Sequence, residues 1–150
     1  MPKATFVAGL LALAGLSCSR QEAPGSEADR DRAFEAMMAN VSLVGQSTSF
    51  GREGISGKEE YAIDQVSRIA GDRWLFHTTL KLGARELTVP IPVLVLWAGD
   101  TPVITLTDLS IPGLGTYSAR VLLFRDHYAG TWAGAEGGGH VFGDILRRDD

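Results

Sequence analysis

The sequence predicts an all-β fold, an eight-stranded antiparallel up-and-down barrel preceded by one short helix, on three observations. Helical periodicity occurs once, where Phe34, Met37, Met38 and Val41 recur at i, i+3, i+4 and i+7, and it is absent after Val41. Beyond that point, runs rich in Val, Ile, Thr and aromatic residues alternate with Gly, Pro and Asp breaks. Several of these breaks are short enough for hairpins, so neighbours in sequence pair antiparallel. The alternative for the same strands is a two-sheet β-sandwich.

The first 17 residues have the pattern of a secretory signal peptide. Lys3 precedes thirteen uncharged residues, Ala4 to Leu16, and small residues follow at the exit. This apolar run is shorter than a membrane span requires, and it is apolar all round rather than along one face, unlike the helix of a soluble core. Cys18 is the only cysteine, so no intramolecular disulfide can form. Its place just after the apolar run resembles the acceptor cysteine of bacterial lipoproteins, with Gly15 where that family usually has a Leu-like residue. That resemblance implies lipid attachment at Cys18 and a membrane partner through the N-terminal anchor. Ordinary cleavage nearby, for instance after Ala14, is the alternative.

Residues 18–31 carry no large apolar side chain and are rich in charge, Gly, Pro and Ser. Such a segment cannot bury enough surface to offset its ordering entropy, so it reads as a flexible tether reaching on the order of 20 Å. The folded domain is then expected over 32–150, extracytoplasmic and close to a membrane.

Within it, Asp31 is placed to cap a helix running to Asn40. Strands follow at about 41–50, 60–69, 73–82, 85–97, 101–109, 115–124, 127–134 and 140–147. Alternation assigns faces. Trp74, Phe76, Thr78, Leu80 and Leu82 share one face of the third strand, and Leu87, Val89, Ile91, Val93, Val95 and Trp97 share one face of the fourth. Pro90 and Pro92 fall on the opposite face of the fourth strand, where two residues without an N–H require an edge, a bulge or a bend. On the seventh strand Tyr128, Gly130 and Trp132 point the same way, and the glycine leaves space for a crossing backbone.

Charge and composition narrow the function. A net charge of -4 with no basic stripe argues against nucleic acid. His77, His127 and His140 lack the close spacings that pre-arrange metal ligands, so no metal or other cofactor is predicted. If the last hairpin turns near Glu136 and Gly137, His127 lies opposite Leu146 with Asp144 diagonal to it. Gly45-Gln46-Ser47 lacks the second glycine of a nucleophile elbow, and Gly113-Leu114-Gly115 leads into a strand rather than a phosphate-binding helix. Glu59 and Glu60 adjoin in a strand and point to opposite faces, and Asp100 and Asp108 bracket the fifth strand at its two ends, so neither arrangement fixes the carboxylate pair that glycoside hydrolysis needs.

The stretch from Trp97 to Val121, then Tyr128-x-Gly130-x-Trp132, the glycines 137–139 and Gly143-x-Ile145, is similar to the closing half of uncharacterised secreted β proteins of planctomycete-type bacteria. The likeness spans residues 34–146 and implies no known activity. The architecture also resembles the lipocalin-like barrels, although the first strand has Gly45-Gln46-Ser47 in place of a G-x-W, and the only G-x-W is Gly130-Thr131-Trp132. The function expected is a non-catalytic lipoprotein barrel that takes a small apolar ligand among Trp74, Phe76, Tyr117 and Trp132. The alternatives are a filled barrel acting as an envelope structural or protein-interaction component and, below that, a hydrolase.

Overall fold

The computed structural model describes residues 25–56, 58–82, 85–111, 113 and 115–148. The expected signal peptide, Cys18 and the first part of the tether lie outside the described residues.

Helix α1 spans Glu27–Met38. It starts a full turn before the predicted Asp31, so the end of the expected tether is helical and the folded domain begins earlier than residue 32. The cap is Ser26, whose hydroxyl oxygen accepts from the Asp29 N–H at 3.1 Å while Glu27 and Asp29 place negative charge on the first turn. The guanidinium of Arg68 ties this turn down by pairing with both Glu27 and Asp31. The first turn contains no large apolar residue, so apolar periodicity was blind to it.

Eight strands follow: β1 Val41–Ser47, β2 Glu59–Ala70, β3 Arg73–Leu82, β4 Arg85–Ala98, β5 Thr101–Ile111, β6 Gly115–Phe124, β7 His127–Gly134 and β8 Gly137–Arg147. Each pairs antiparallel with the next, and β8 pairs with β1, closing an up-and-down barrel and excluding the sandwich. Strands β3, β6 and β7 occupy their predicted ranges, whereas β1 ends earlier than expected and β8 starts earlier. The chain after β1 leaves the β1–β2 ladder but stays on β8, through Thr48 N–H to the His140 carbonyl at 2.9 Å and Phe50 N–H to Gly138 at 2.7 Å.

Two ends result. The turns at 71–72, 99–100 and 125–126 lie at the end where β1 begins and α1 packs. The β1–β2 loop and the turn at 135–136 lie at the other end, the mouth.

The helix closes its end with apolar side chains. Phe34 meets Trp74 edge-on at 4.9 Å and Trp97 at 5.6 Å, and Phe76 lies tilted at 6.2 Å. The Arg30 guanidinium covers Trp97 from outside, 4.3 Å from the ring centre. Arg147 donates to the carbonyls of Ala39 and Ala36 at 2.6 and 2.8 Å, satisfying the helix C-terminus. Beneath Phe34 and Met38 the lumen is filled by Val41, Ile63, Val66, Val95, Ile104, Leu123 and Ile145.

Pro90 and Pro92 sit at an edge inside a closed barrel. The β4–β5 ladder ends at Leu94 opposite Thr105. The Val95 N–H points to β3, where it donates to the Asp72 carbonyl. Even-numbered residues of β4 therefore aim their backbone groups at β5, and the two prolines put their missing donors on the side where no ladder exists. A register shift between Leu106 and Leu109 bends β5 away, with Asp108 in the left-handed region at φ 48°. The seam leaves a cleft of about 270 Å³ lined by Arg73, Pro92, Leu94, Thr105 and Thr107.

Candidate functional site

The four aromatic residues expected to share one interior separate into two groups. Trp74 and Phe76 are buried under Phe34 at the helix end and belong to the core. Tyr117 of β6 and Trp132 of β7 lie at the mouth, ring centres 6.5 Å apart and tilted by 54°. Together with Phe50, Arg52 and Glu136 they line a cavity of about 440 Å³.

Glycines make room for these rings. Each inward aromatic of the last three strands faces a glycine across a ladder: Tyr117 opposite Gly134, Trp132 opposite Gly139, Tyr128 opposite Gly143. The Tyr117 ring lies so close over Gly134 that a Cβ there would come within 3.0 Å of it. At Gly130 a Cβ would come within 2.8 Å of the Val121 Cα, so the expected close backbone approach is present.

Below the mouth a polar group enters the lumen that sequence inspection weighed only as one of two adjacent carboxylates. Leu43 pairs with Tyr61 and Gly45 with Glu59, in the same inward series as the core pair Val41 and Ile63. Glu59 thus faces inward, accepting from the Ser47 hydroxyl at 2.6 Å and from the Tyr61 hydroxyl at 2.8 Å. Burial pushes the Tyr61 phenol well above the ordinary tyrosine range, with further contributions from the Glu59 hydrogen bond and charge and from Tyr128 and Tyr117. Burial, with Glu59 and Asp144 contributing, pushes Tyr128 up to about 12.

Two polar atoms of this region have no partner. Tyr128 is only 3% exposed, and its hydroxyl, against Gly45, bonds nothing; the Trp132 indole N–H is likewise buried and unpaired. A buried hydroxyl or indole N–H without a partner forfeits about 1–3 kcal/mol.

The signal for this cluster was present in the sequence as the alternation Glu59, Tyr61, Ile63. Its meaning depends on which face of β2 is inward, and the bulge between Ile63 and Gln65 reverses that parity along the strand.

The histidines lie apart. The last hairpin turns at Ala135-Glu136 and pairs Gly134 with Gly137, so His127 lies directly opposite Asp144 rather than Leu146. Its Nδ1 is 2.7 Å from Asp144 Oδ1 on the exposed outer face. His140, also outward, has its Nδ1 3.2 Å from the Thr48 hydroxyl and its ring against Phe50. The two histidines are four ladder positions apart, and among the described residues no three His, Cys, Asp or Glu side chains gather as metal ligands.

No family model, no curated protein and no solved structure matches the chain. The chemistry of the mouth therefore rests on its own geometry: the rings of Tyr117 and Trp132, the charges of Arg52 and Glu136, and the unpaired Trp132 indole N–H.

Proposed function

We propose that the chain is a non-catalytic, extracytoplasmic barrel of lipocalin-like architecture that holds a small ligand in the half of its lumen next to the mouth, tethered to a membrane through Cys18. The observation that carries the ligand reading is the buried, unpartnered Trp132 Nε1 on a residue that lines a cavity of about 440 Å³, with the equally unpartnered Tyr128 Oη on the same strand. The filled helix end gives the site a floor. Tethering draws its support from the apolar run and Cys18 in the sequence.

A fluorescent apolar probe titrated against the protein tests the ligand reading. Saturable binding that Trp132→Ala weakens is expected. Absence of saturable binding, or binding unaffected by Trp132→Ala, overturns the assignment to the mouth.

A second reading has its own observation. Leu96, Val103, Leu122, Ala129 and Phe142 face outward in consecutive register across β4 to β8, forming an apolar row on the wall of the barrel. Leu94, Phe124 and Leu146 add exposed apolar surface around it. Such a row suits contact with a protein partner. A substitution such as Leu122→Glu that abolishes a partner contact while sparing probe binding would separate the two roles.

A further inference from the structure

The geometry points to a second binding site, apart from the mouth: we propose that the open seam between β4 and β5 takes an unbranched alkyl carboxylate, its chain in the slot between the strands and its carboxylate at Arg73. The seam shares no lining residue with the mouth cavity, so its test is independent of the ligand reading there.

Access through the wall is the first argument. Side chains alternate along a strand, so an intact ladder shows one face to solvent and the other to the lumen. The seam cleft is lined by both faces: Val93 and Leu106, which belong to or pack against the core, and Leu94 and Thr105 of the outer row. It is therefore a slot that reaches core side chains from outside, open where the ladder stops at Leu94 and Thr105. Its occupant is not another strand. Pro90 and Pro92 leave that edge of β4 with carbonyls but no N–H groups at two successive pairing positions, so an added strand would have its own carbonyls unmet. A volume of about 270 Å³, under the roughly 300–1,000 Å³ usual for ligand pockets, suits a slender chain rather than a ring system.

Charge selects the headgroup. Arg73 is the only charged residue lining the cleft, and among the described residues no ion pair includes it. Arg73, Leu94 and Thr105 lie directly opposite one another across β3, β4 and β5, followed by Arg120 on β6. The Arg120 guanidinium bonds only neutral oxygens, those of Leu106, Ala119 and Thr107, so positive charge flanks the slot on both sides. Of the nearby acids, Asp72 adjoins Arg73 without pairing with it and Asp108 accepts from the Ser118 hydroxyl; neither lines the cleft. A carboxylate is attracted here, and an ammonium group is repelled.

An unmet hydroxyl is the third argument. Thr105 is 7% exposed and its Oγ1 has no partner, on a residue that lines the cleft. A buried hydroxyl normally has one. Rotation about its Cα–Cβ bond moves the hydroxyl between staggered positions, so it can donate to a carboxylate oxygen held at Arg73.

The experiment compares octanoate with 1-octanol, which has the same chain and no charge, by calorimetric titration against the whole protein. Octanoate is expected to bind about threefold to fivefold more tightly, the scale of one ion pair at an exposed guanidinium. Arg73→Gln is expected to abolish that preference, whereas Arg73→Lys, which keeps the charge, retains it. The amide resonances of Thr105, Leu106 and Thr107 are expected to shift on adding octanoate, with the Trp132 indole N–H unmoved. Equal affinities for the two compounds, a preference that survives Arg73→Gln, or no binding by octanoate overturns the proposal. Shifts confined to Trp132 and its neighbours also overturn it, while supporting a ligand in the mouth.

Discussion

Gly45 of β1 and Gly143 of β8 face each other at the seam that closes the barrel, each occupying space that no side chain could share. A Cβ on Gly143 would overlap the Val44 carbonyl and lie 2.5 Å from the Gly45 Cα, and one on Gly45 would overlap the Phe142 carbonyl and the Tyr128 hydroxyl. The two strands approach at this corner because a small barrel must turn sharply somewhere, and glycines permit the turn. The same absence of side chains gives the Tyr128 hydroxyl its place in the lumen.

Gly143→Ala is therefore expected to be severely destabilising, by about 3 kcal/mol or more, because the obstruction is backbone and cannot rotate away. Gly99→Ala is the comparison. Its residue is in the left-handed region at φ 68° but has nothing within 4 Å, so only conformational strain of about 1–2 kcal/mol is expected. Denaturant unfolding of both variants measures the difference, and equal losses would contradict the seam account.

Phe34→Ala tests whether the helix acts as the floor of the lumen. The ring is 2% exposed and touches Trp74, Phe76 and Trp97, so its truncation is expected to cost about 3–5 kcal/mol. Phe34→Leu keeps most of the volume and should lose less. Both are read by thermal melting, with tryptophan fluorescence reporting solvent entry around Trp74 and Trp97.

Much of this architecture was legible in the sequence because alternation and turn residues are local signals. Trp74, Phe76 and the odd-numbered face of β4 were correctly grouped, and Pro90 and Pro92 correctly marked an interruption. The hairpin register was misjudged by two residues around His127, an even shift that leaves every side chain on its proper face. The division of the aromatics was not legible. Whether Trp74 and Trp132 share a space depends on which end the helix enters, and α1 docks through Phe34 and the Arg68 ion pairs, contacts between residues more than thirty positions apart. Glu59 was half legible for a related reason: alternation puts Glu59 and Glu60 on opposite faces, and which of them is inward depends on the register with Gly45 and Leu43.

Cys18→Ala tests the tether. Each buried methylene of an acyl chain contributes about 0.8 kcal/mol to membrane attachment, so two or three chains anchor stably and their removal should release the protein. Expressed in a bacterium, the wild-type chain is expected in the membrane fraction and Cys18→Ala in the soluble fraction. Identical fractionation of the two would remove the lipid anchor from the proposal.

The lumen tyrosines give the barrel a defined alkaline limit. Tyr128 ionises at about 12 in the folded protein against 10.0 for an unperturbed tyrosine, and Tyr61 is raised as well. Because the folded state holds both phenols neutral, their contribution to stability is fully present below pH 10, where the unfolded chain is also neutral. It is lost progressively as the unfolded phenols ionise between about pH 10 and 12. Phenolate absorbance should accordingly show Tyr61 and Tyr128 still protonated at a pH where the unfolded chain has ionised, and the melting temperature should fall across the same interval. Glu59→Gln removes the negative charge that Tyr61 would face on ionising, so the Tyr61 phenolate should form at lower pH in that variant. A Tyr61 titration unmoved by Glu59→Gln would contradict the Tyr61–Glu59 hydrogen bond.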